Sequence, residues 1–212
     1  LDGPKASNDR NRGEGTFDYT LTAIKLALKE KFKVRVQCTL TRHNKDDIEE
    51  LAILAKEIGF PVSFSILFRT NFTDANADIG ELNSAEIKEC LTTIRALKRK
   101  GFPLFTSEAN LKQALEWPYD KFNKLFLMKH EVPKDLKHVP CHYSKLKFHF
   151  EGEGYFTPCT VLSSNDMKSK SVLDVGVKAS IEHVNKTNKC TACPHLTQNE
   201  WNLLMGMKPK VV

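Results

Sequence analysis

The sequence predicts an α/β fold with a mostly parallel sheet, followed by a small α+β extension rich in cysteine. Segments of helical and strand period alternate from residue 16 to about residue 128, as they do in βα units. After Pro133 the pattern changes to short alternating runs broken by Gly152 and Gly154. Four of the six cysteines lie from Cys141 onward. These shifts place a boundary near residue 138, between a βα unit over 1–137 and an extension over 138–212. Only three or four strands can be counted before that boundary. A closed barrel needs about eight, so the set is an open sheet or the later part of a barrel.

Leu1-Asp2-Gly3-Pro4 reads as a strand end turning into a loop, so the chain is expected to begin inside a fold. Thr16 is placed to cap a helix whose apolar residues Phe17, Leu21, Ile24 and Leu28 recur at steps of three and four. Val34, Val36, Cys38 and Leu40 alternate with Arg35, Gln37 and Thr39, which is a half-buried strand. The polar loop from Thr41 to Asn44 leads to a helix with Ile48, Leu51, Leu54, Ala55 and Ile58 on one face, ended by Gly59. Val62 to Phe68 is the next strand. A polar loop to Asn83 follows, then a helix with Ser84 as its cap and Ile87, Leu91, Ile94 and Leu97 on its apolar face. Pro103 to Phe105 reads as a strand and Glu108 to Trp117 as a helix, while the apolar stretch Phe122 to Met128 fits neither pattern clearly. In the extension, Lys145 to Phe150 and Tyr155 to Thr160 form a hairpin. A Ser/Lys-rich stretch then leads to Cys190, and a short helix covers Asn199 to Met205.

A chain of 212 residues with 41% apolar content can bury a substantial core. No run approaches the roughly 20 apolar residues of a membrane helix, and no basic segment followed by an apolar one opens the sequence. A cytoplasmic protein without a membrane partner is therefore expected. The net charge of +6 is spread over lysines in amphipathic segments such as Lys25 to Lys33 and Lys98 to Lys100, so nucleic acid is not an expected partner.

Cysteines in a chain without a secretory signal argue for metal binding or catalysis over disulfides. Cys141, Cys159, Cys190 and Cys193 are the candidate ligands, because four soft thiolates complete either a tetrahedral zinc site or a four-iron cube. A zinc ribbon uses two short Cys-x2-Cys knuckles. Here Cys190 and Cys193 form one knuckle, and a whole hairpin separates Cys141 from Cys159, which favours the cluster. The remaining reading is four reduced thiols without metal. Cys38 and Cys90 fall on apolar faces and read as core residues. His142, His149, His183 and His195 flank the cysteines and read as surface residues. Gly13-Glu14-Gly15 is rejected as a dinucleotide loop, because Asp18 stands where the third glycine belongs. Glu108, Asp174 and Glu200 are candidate proton carriers that spacing does not separate.

Cys141, twelve residues, Gly154, four residues and Cys159 match the Cys-x9-15-Gly-x4-Cys opening of the SPASM and Twitch extensions. Those extensions belong to radical S-adenosylmethionine (SAM) enzymes, and Cys190-Thr191-Ala192-Cys193 resembles their later Cys-x2-Cys. No cysteine follows Cys193, so the resemblance implies the single-cluster, Twitch-like form. Independently, Leu1-Asp2-Gly3-Pro4, Asn8-Asp9, Arg12-Gly13 and Gly15-Thr16-Phe17 resemble the segment after the fourth barrel strand of such enzymes, and Val36 to Asn44 resembles their fifth strand.

The resemblance implies the later strands of a partial (βα)6 radical SAM barrel carrying an auxiliary [4Fe–4S] cluster on Cys141, Cys159, Cys190 and Cys193. It implies SAM and a second [4Fe–4S] cluster in the complete protein, with a reductase as electron donor. The substrate would be a peptide, a protein or a small molecule, modified by hydrogen abstraction. Arg12 is the implied ligand of the SAM carboxylate, with Arg10 as its substitute. The chain departs from the family in having no Cys-x3-Cys-x2-Cys, the motif of the catalytic cluster. Alone it is expected to be inactive, a truncated piece of a longer enzyme. A zinc-binding interaction module without catalysis is the rival reading.

Overall fold

β1 (Val36–Leu40) and β2 (Val62–Ile66) lie side by side and parallel, with Val36 opposite Val62 and Leu40 opposite Ile66. On the other flank of β2, Leu104 bridges to Val62, also in parallel. Two backbone hydrogen bonds hold that edge, from Val62 N to Pro103 O at 2.9 Å and from Phe105 N to Val62 O at 2.7 Å. The computed structural model describes residues 1–68, 78–120, 126–162 and 168–206. Within them the fold is mixed α/β, as the alternating periods require.

Helix α3 (Ile48–Ile58) connects β1 to β2, and α4 (Ser84–Arg99) follows β2. Helix α4 buries the expected Ile87, Leu91, Ile94 and Leu97, whereas α3 buries Ile48, Leu51 and Ala55 together with Ala52 and leaves the expected Leu54 and Ile58 only partly buried; both helices share one core with Leu40, Val62 and Phe64 of the sheet. Gly59 ends α3 at φ +93°, in the left-handed region where a side chain would be strained. Cys38 and Cys90 are buried in this core, and burial pushes the Cys90 thiol up to about 11 and the Cys38 thiol still higher.

The helix starts differ in detail from the sequence expectation. Ser84 is the first residue of α4, and its cap is Asn83. The Asn83 side chain accepts from the backbone of Ala85 and Glu86, while Glu86 accepts from Asn83 N at 2.9 Å. This reciprocal box satisfies donors that a helix start otherwise leaves open. Asn83→Ala is expected to lower stability by about 1 kcal/mol, read as a shifted urea midpoint at constant slope.

Residues 5–12, read as loop, form helix α1 (Lys5–Arg12). Ala6 is the helix's one apolar residue, so there is no periodic signal. Polar contacts hold it: the buried Asn8 accepts from Asp2 N at 2.9 Å and donates to Thr16 Oγ1 at 3.0 Å. Thr16 is correspondingly not the cap of α2 (Thr16–Lys29). Its hydroxyl donates to Gly13 O at 2.7 Å, and the capping oxygens come from Asp9, which accepts from Phe17 N at 2.8 Å and Gly15 N at 3.1 Å. The Phe17 bond above all lowers the Asp9 pKa. A carboxyl depressed on folding adds stability above its unfolded pKa, and that stability is lost as pH falls through the folded value. Asp9→Asn is therefore expected to flatten the acid limb of the stability curve below about pH 4, read by denaturation at stepped pH.

Helix α5 (Glu108–Glu116) is capped by Ser107, whose Oγ accepts from Asn110 N at 3.3 Å. Beyond it, β3 (Leu127–Met128) pairs antiparallel with β6 (Cys190–Ala192), and α7 (Leu196–Met205) packs on α5 and β2. Ala192 and Leu196 belong to the same apolar core as the sheet, so the segments on either side of residue 138 share one interior. The expected hairpin is present as β4 (His149–Phe150) against β5 (Phe156–Thr157). Gly154 turns it at φ +87°, and a Cβ there would come within 3.3 Å of Ser171 Oγ. The Ser/Lys-rich stretch that follows contains an additional helix, α6 (Val172–Thr187), kinked at Gly176. Residues 121–125 of the unassigned apolar stretch and 69–77 of the polar loop lie outside the described residues. Among the described residues, no helix is long and apolar enough to cross a membrane.

Candidate metal centre

Four separate backbone features deliver the four distal cysteines to one place. Cys141 precedes a turn closed by the Ser144 N to Lys147 O bond at 2.8 Å, and Cys159 follows β5 at the mouth of a single 3-10 turn, Thr160–Leu162. Cys190 opens β6, and Cys193 lies between β6 and α7. The antiparallel pairing of β6 with β3 fixes the Cys190–Cys193 knuckle, and the β4–β5 hairpin returns Cys159 toward it.

A backbone N–H two residues further on opposes the rise of each thiol's pKa: that of Tyr143 at Cys141, Val161 at Cys159, Ala192 at Cys190 and His195 at Cys193. Leu162 N adds a second donor to Cys159, and the Asn202 side chain adds one to Cys141. Donors aimed at sulfur favour its anionic form. All four cysteines line one small cavity of about 10 Å³, walled otherwise by residues such as Phe126, Tyr143 and Leu162, with no carboxylate or imidazole in its lining.

Burial opposes ionisation here. It pushes the Cys159 thiol up to about 11 and the Cys193 thiol to about 12, and it raises Cys141 and Cys190 as well. The other three sulfurs add to the rise at Cys190, because like charges crowd the same space. Four thiolates in this cavity therefore need a positive group among them, which a metal supplies. Among the described residues, no three His, Cys, Asp or Glu side chains converge closely enough for a single ion. A tetrahedral zinc with Zn–S bonds of about 2.3 Å would draw sulfurs to about 3.8 Å from one another.

The histidines are not among the cavity's lining residues. His195, read as a surface residue, is instead half-buried at the N-cap of α7, where Nδ1 accepts from Gln198 N at 3.5 Å. Burial lowers its pKa to about 4, so the ring is neutral at pH 7. Sequence reasoning missed a set of buried amides behind the cysteines. Asn199 donates to Cys193 O at 2.8 Å, Asn202 accepts from His142 N at 2.8 Å, and Asn188 accepts from Cys190 N at 3.0 Å. The available signal was the i, i+3 pair Asn199 and Asn202 on the inward face of a helix directly after the knuckle.

Of the other sequence candidates, Arg12 lies at the C-terminal end of β1. Arg12 Nε donates to the buried Asp2 at 2.6 Å, and the other oxygen of Asp2 accepts from Thr39 N at 2.8 Å. The buried Asn44 ties the same turn down, donating to Asp2 O at 2.8 Å and Thr39 O at 2.9 Å. Arg12 is thereby fixed through Nε, with its side chain 57% exposed, whereas Arg10 is exposed and has no ion pair among the described residues. Of the three candidate proton carriers, Glu108 is paired with Arg95 and Arg99, each at 2.6 Å, and Asp174 is exposed in the first turn of α6. Glu200 is buried and accepts from Ser107 N at 2.9 Å and Asn110 Nδ2 at 2.8 Å, which joins α7 to the start of α5. No protein-family model matches the chain, and no curated protein matches it.

Proposed function

We propose that Cys141, Cys159, Cys190 and Cys193 hold one [4Fe–4S] cluster, and that the chain is part of a radical SAM enzyme. One observation carries the reading: four thiols from four places in the chain border a single carboxylate-free cavity. All-thiolate ligation is the donor set of iron–sulfur cubes, and N–H bonds to the sulfurs stabilise the charge that such ligands carry. In this reading residues 1–137 are later strands of a partial (βα)6 barrel and residues 138–212 a Twitch-like extension in a cytoplasmic enzyme.

The cluster would supply a one-electron redox centre. The chain's own residues would bind and shield it: Phe126, Tyr143 and Leu162 exclude water, while Asn202 and the backbone amides orient the sulfurs. Arg12, braced by Asp2 at the carboxyl edge of the parallel strands, is the residue proposed for the SAM carboxylate, since ligands of α/β sheets bind at that edge. Reductive cleavage of SAM needs a further cluster held by Cys-x3-Cys-x2-Cys. That motif is not among these 212 residues, so the radical step depends on residues outside them. A reductase would be the electron donor, and a peptide or protein is the preferred substrate over a small molecule. The all-thiolate donor set also suits zinc, which makes a structural zinc module the second reading.

Iron, sulfide and zinc in the anaerobically purified chain separate the two. About four irons and four sulfides per chain are expected. One zinc without sulfide would overturn the cluster and leave the zinc module.

A further inference from the structure

A second, open cleft abuts the four-cysteine cavity. The two share Cys141, Tyr143, Asn188 and Cys190, so two of the four cysteines border both spaces. The cleft is lined only by residues beyond 128. Its wall carries Lys129, Lys145 and Lys189 together with His130 and His138, and no carboxylate lines it. The three lysines are exposed and have no ion pair among the described residues. Glu131, the nearest carboxylate along the chain, accepts from Met128 N at 2.9 Å.

We propose that this cleft is the docking site for an acidic one-electron carrier protein, which exchanges an electron with the cluster through Cys141 and Cys190. The inference rests on the cluster reading above. In the step, the carrier's reduced iron–sulfur group loses one electron and the cluster of this chain gains it. No bond forms or breaks and no proton is required. Electron-transfer encounters use small, wet interfaces that form quickly and release quickly. Unpaired charges of one sign around an opening steer a partner of opposite sign and set its on-rate. A small anion would instead call for convergent, largely buried donors, whereas these lysines stand in solvent around an open mouth.

The test uses the full chain carrying its cluster and, as probe, a reduced acidic [2Fe–2S] ferredoxin of the plant type. Anaerobic stopped-flow spectroscopy would follow reduction of the chain's cluster. The triple variant Lys129→Glu, Lys145→Glu, Lys189→Glu is expected to be reduced at least about 10-fold more slowly at low ionic strength, and salt should slow the natural chain toward the variant's rate. Equal iron and sulfide in both proteins, and equal reduction by dithionite, would show that the variant retains fold and cluster. Iron present in both with an unchanged ferredoxin rate overturns the docking site alone. Absence of iron from the natural chain overturns the cluster reading, and this inference with it.

Discussion

Replacing Cys193 by alanine is expected to lower bound iron from about four atoms per chain to less than about one. Cys193 lies between β6 and α7, its sulfur takes the His195 N–H, and its carbonyl is held by Asn199 at 2.8 Å, so neither backbone nor neighbours can bring a replacement ligand to that corner. Cys159→Ala is expected to behave alike, because the 3-10 turn after it presents two amides to a sulfur that would no longer be there. Cys90→Ala is the control. That thiol is also buried, but among the α4 residues of the sheet core, so its loss should leave iron content unchanged. Iron and sulfide analysis of the three variants beside the natural chain reads the outcome. Retained iron in Cys193→Ala would remove Cys193 from the ligand set.

Glu200→Ala is expected to destabilise the chain by about 2–4 kcal/mol, since it leaves one buried donor without an acceptor and a second with only Leu196 O, and an unmet buried donor costs about 1–3 kcal/mol. Those donors are Ser107 N and Asn110 Nδ2, at 2.9 Å and 2.8 Å from the carboxylate. Glu200→Gln keeps an acceptor and removes a buried charge, so it should cost less than half as much. Urea denaturation measures both. Because α7 also carries Asn199 and Asn202 behind Cys193 and Cys141, the proposed cluster should be held more weakly in the alanine variant than in the glutamine variant. Equal stability of the two would mean that Glu200 acts through its bulk and not through its hydrogen bonds.

The parts of the fold legible in the sequence are those in which burial follows a period. Val36, Cys38 and Leu40 are inward and Gln37 outward, as their alternation requires, and the stripe of α4 is buried at all four expected positions and that of α3 at Ile48, Leu51 and Ala55. Where polar contacts replace apolar burial, that signal vanishes. Helix α1 is held by Asn8 and Asp9, and α6 leaves Leu173 and Val177 in solvent, so neither has an apolar stripe to read. Caps were displaced for a related reason. Asp9 reaches the start of α2 only because α1 exists, so local sequence pointed to Thr16 instead.

At the candidate centre, type and spacing single out the four cysteines in the sequence. Their common cavity was not legible there, since it depends on the pairing of β3 with β6 across some sixty residues of chain. The basic cleft was also invisible. Lys129, Lys145 and Lys189 look like scattered surface charges along the sequence and gather only when Met128 lies against Cys190.

X-ray absorption at the iron and zinc edges of the anaerobically purified chain tests the central claim most directly. An iron site with an all-sulfur shell and a second shell of iron is expected, because only a multinuclear cluster places metal beside metal within one ring of thiolates. A zinc edge with a single sulfur shell near 2.3 Å and no iron would contradict it.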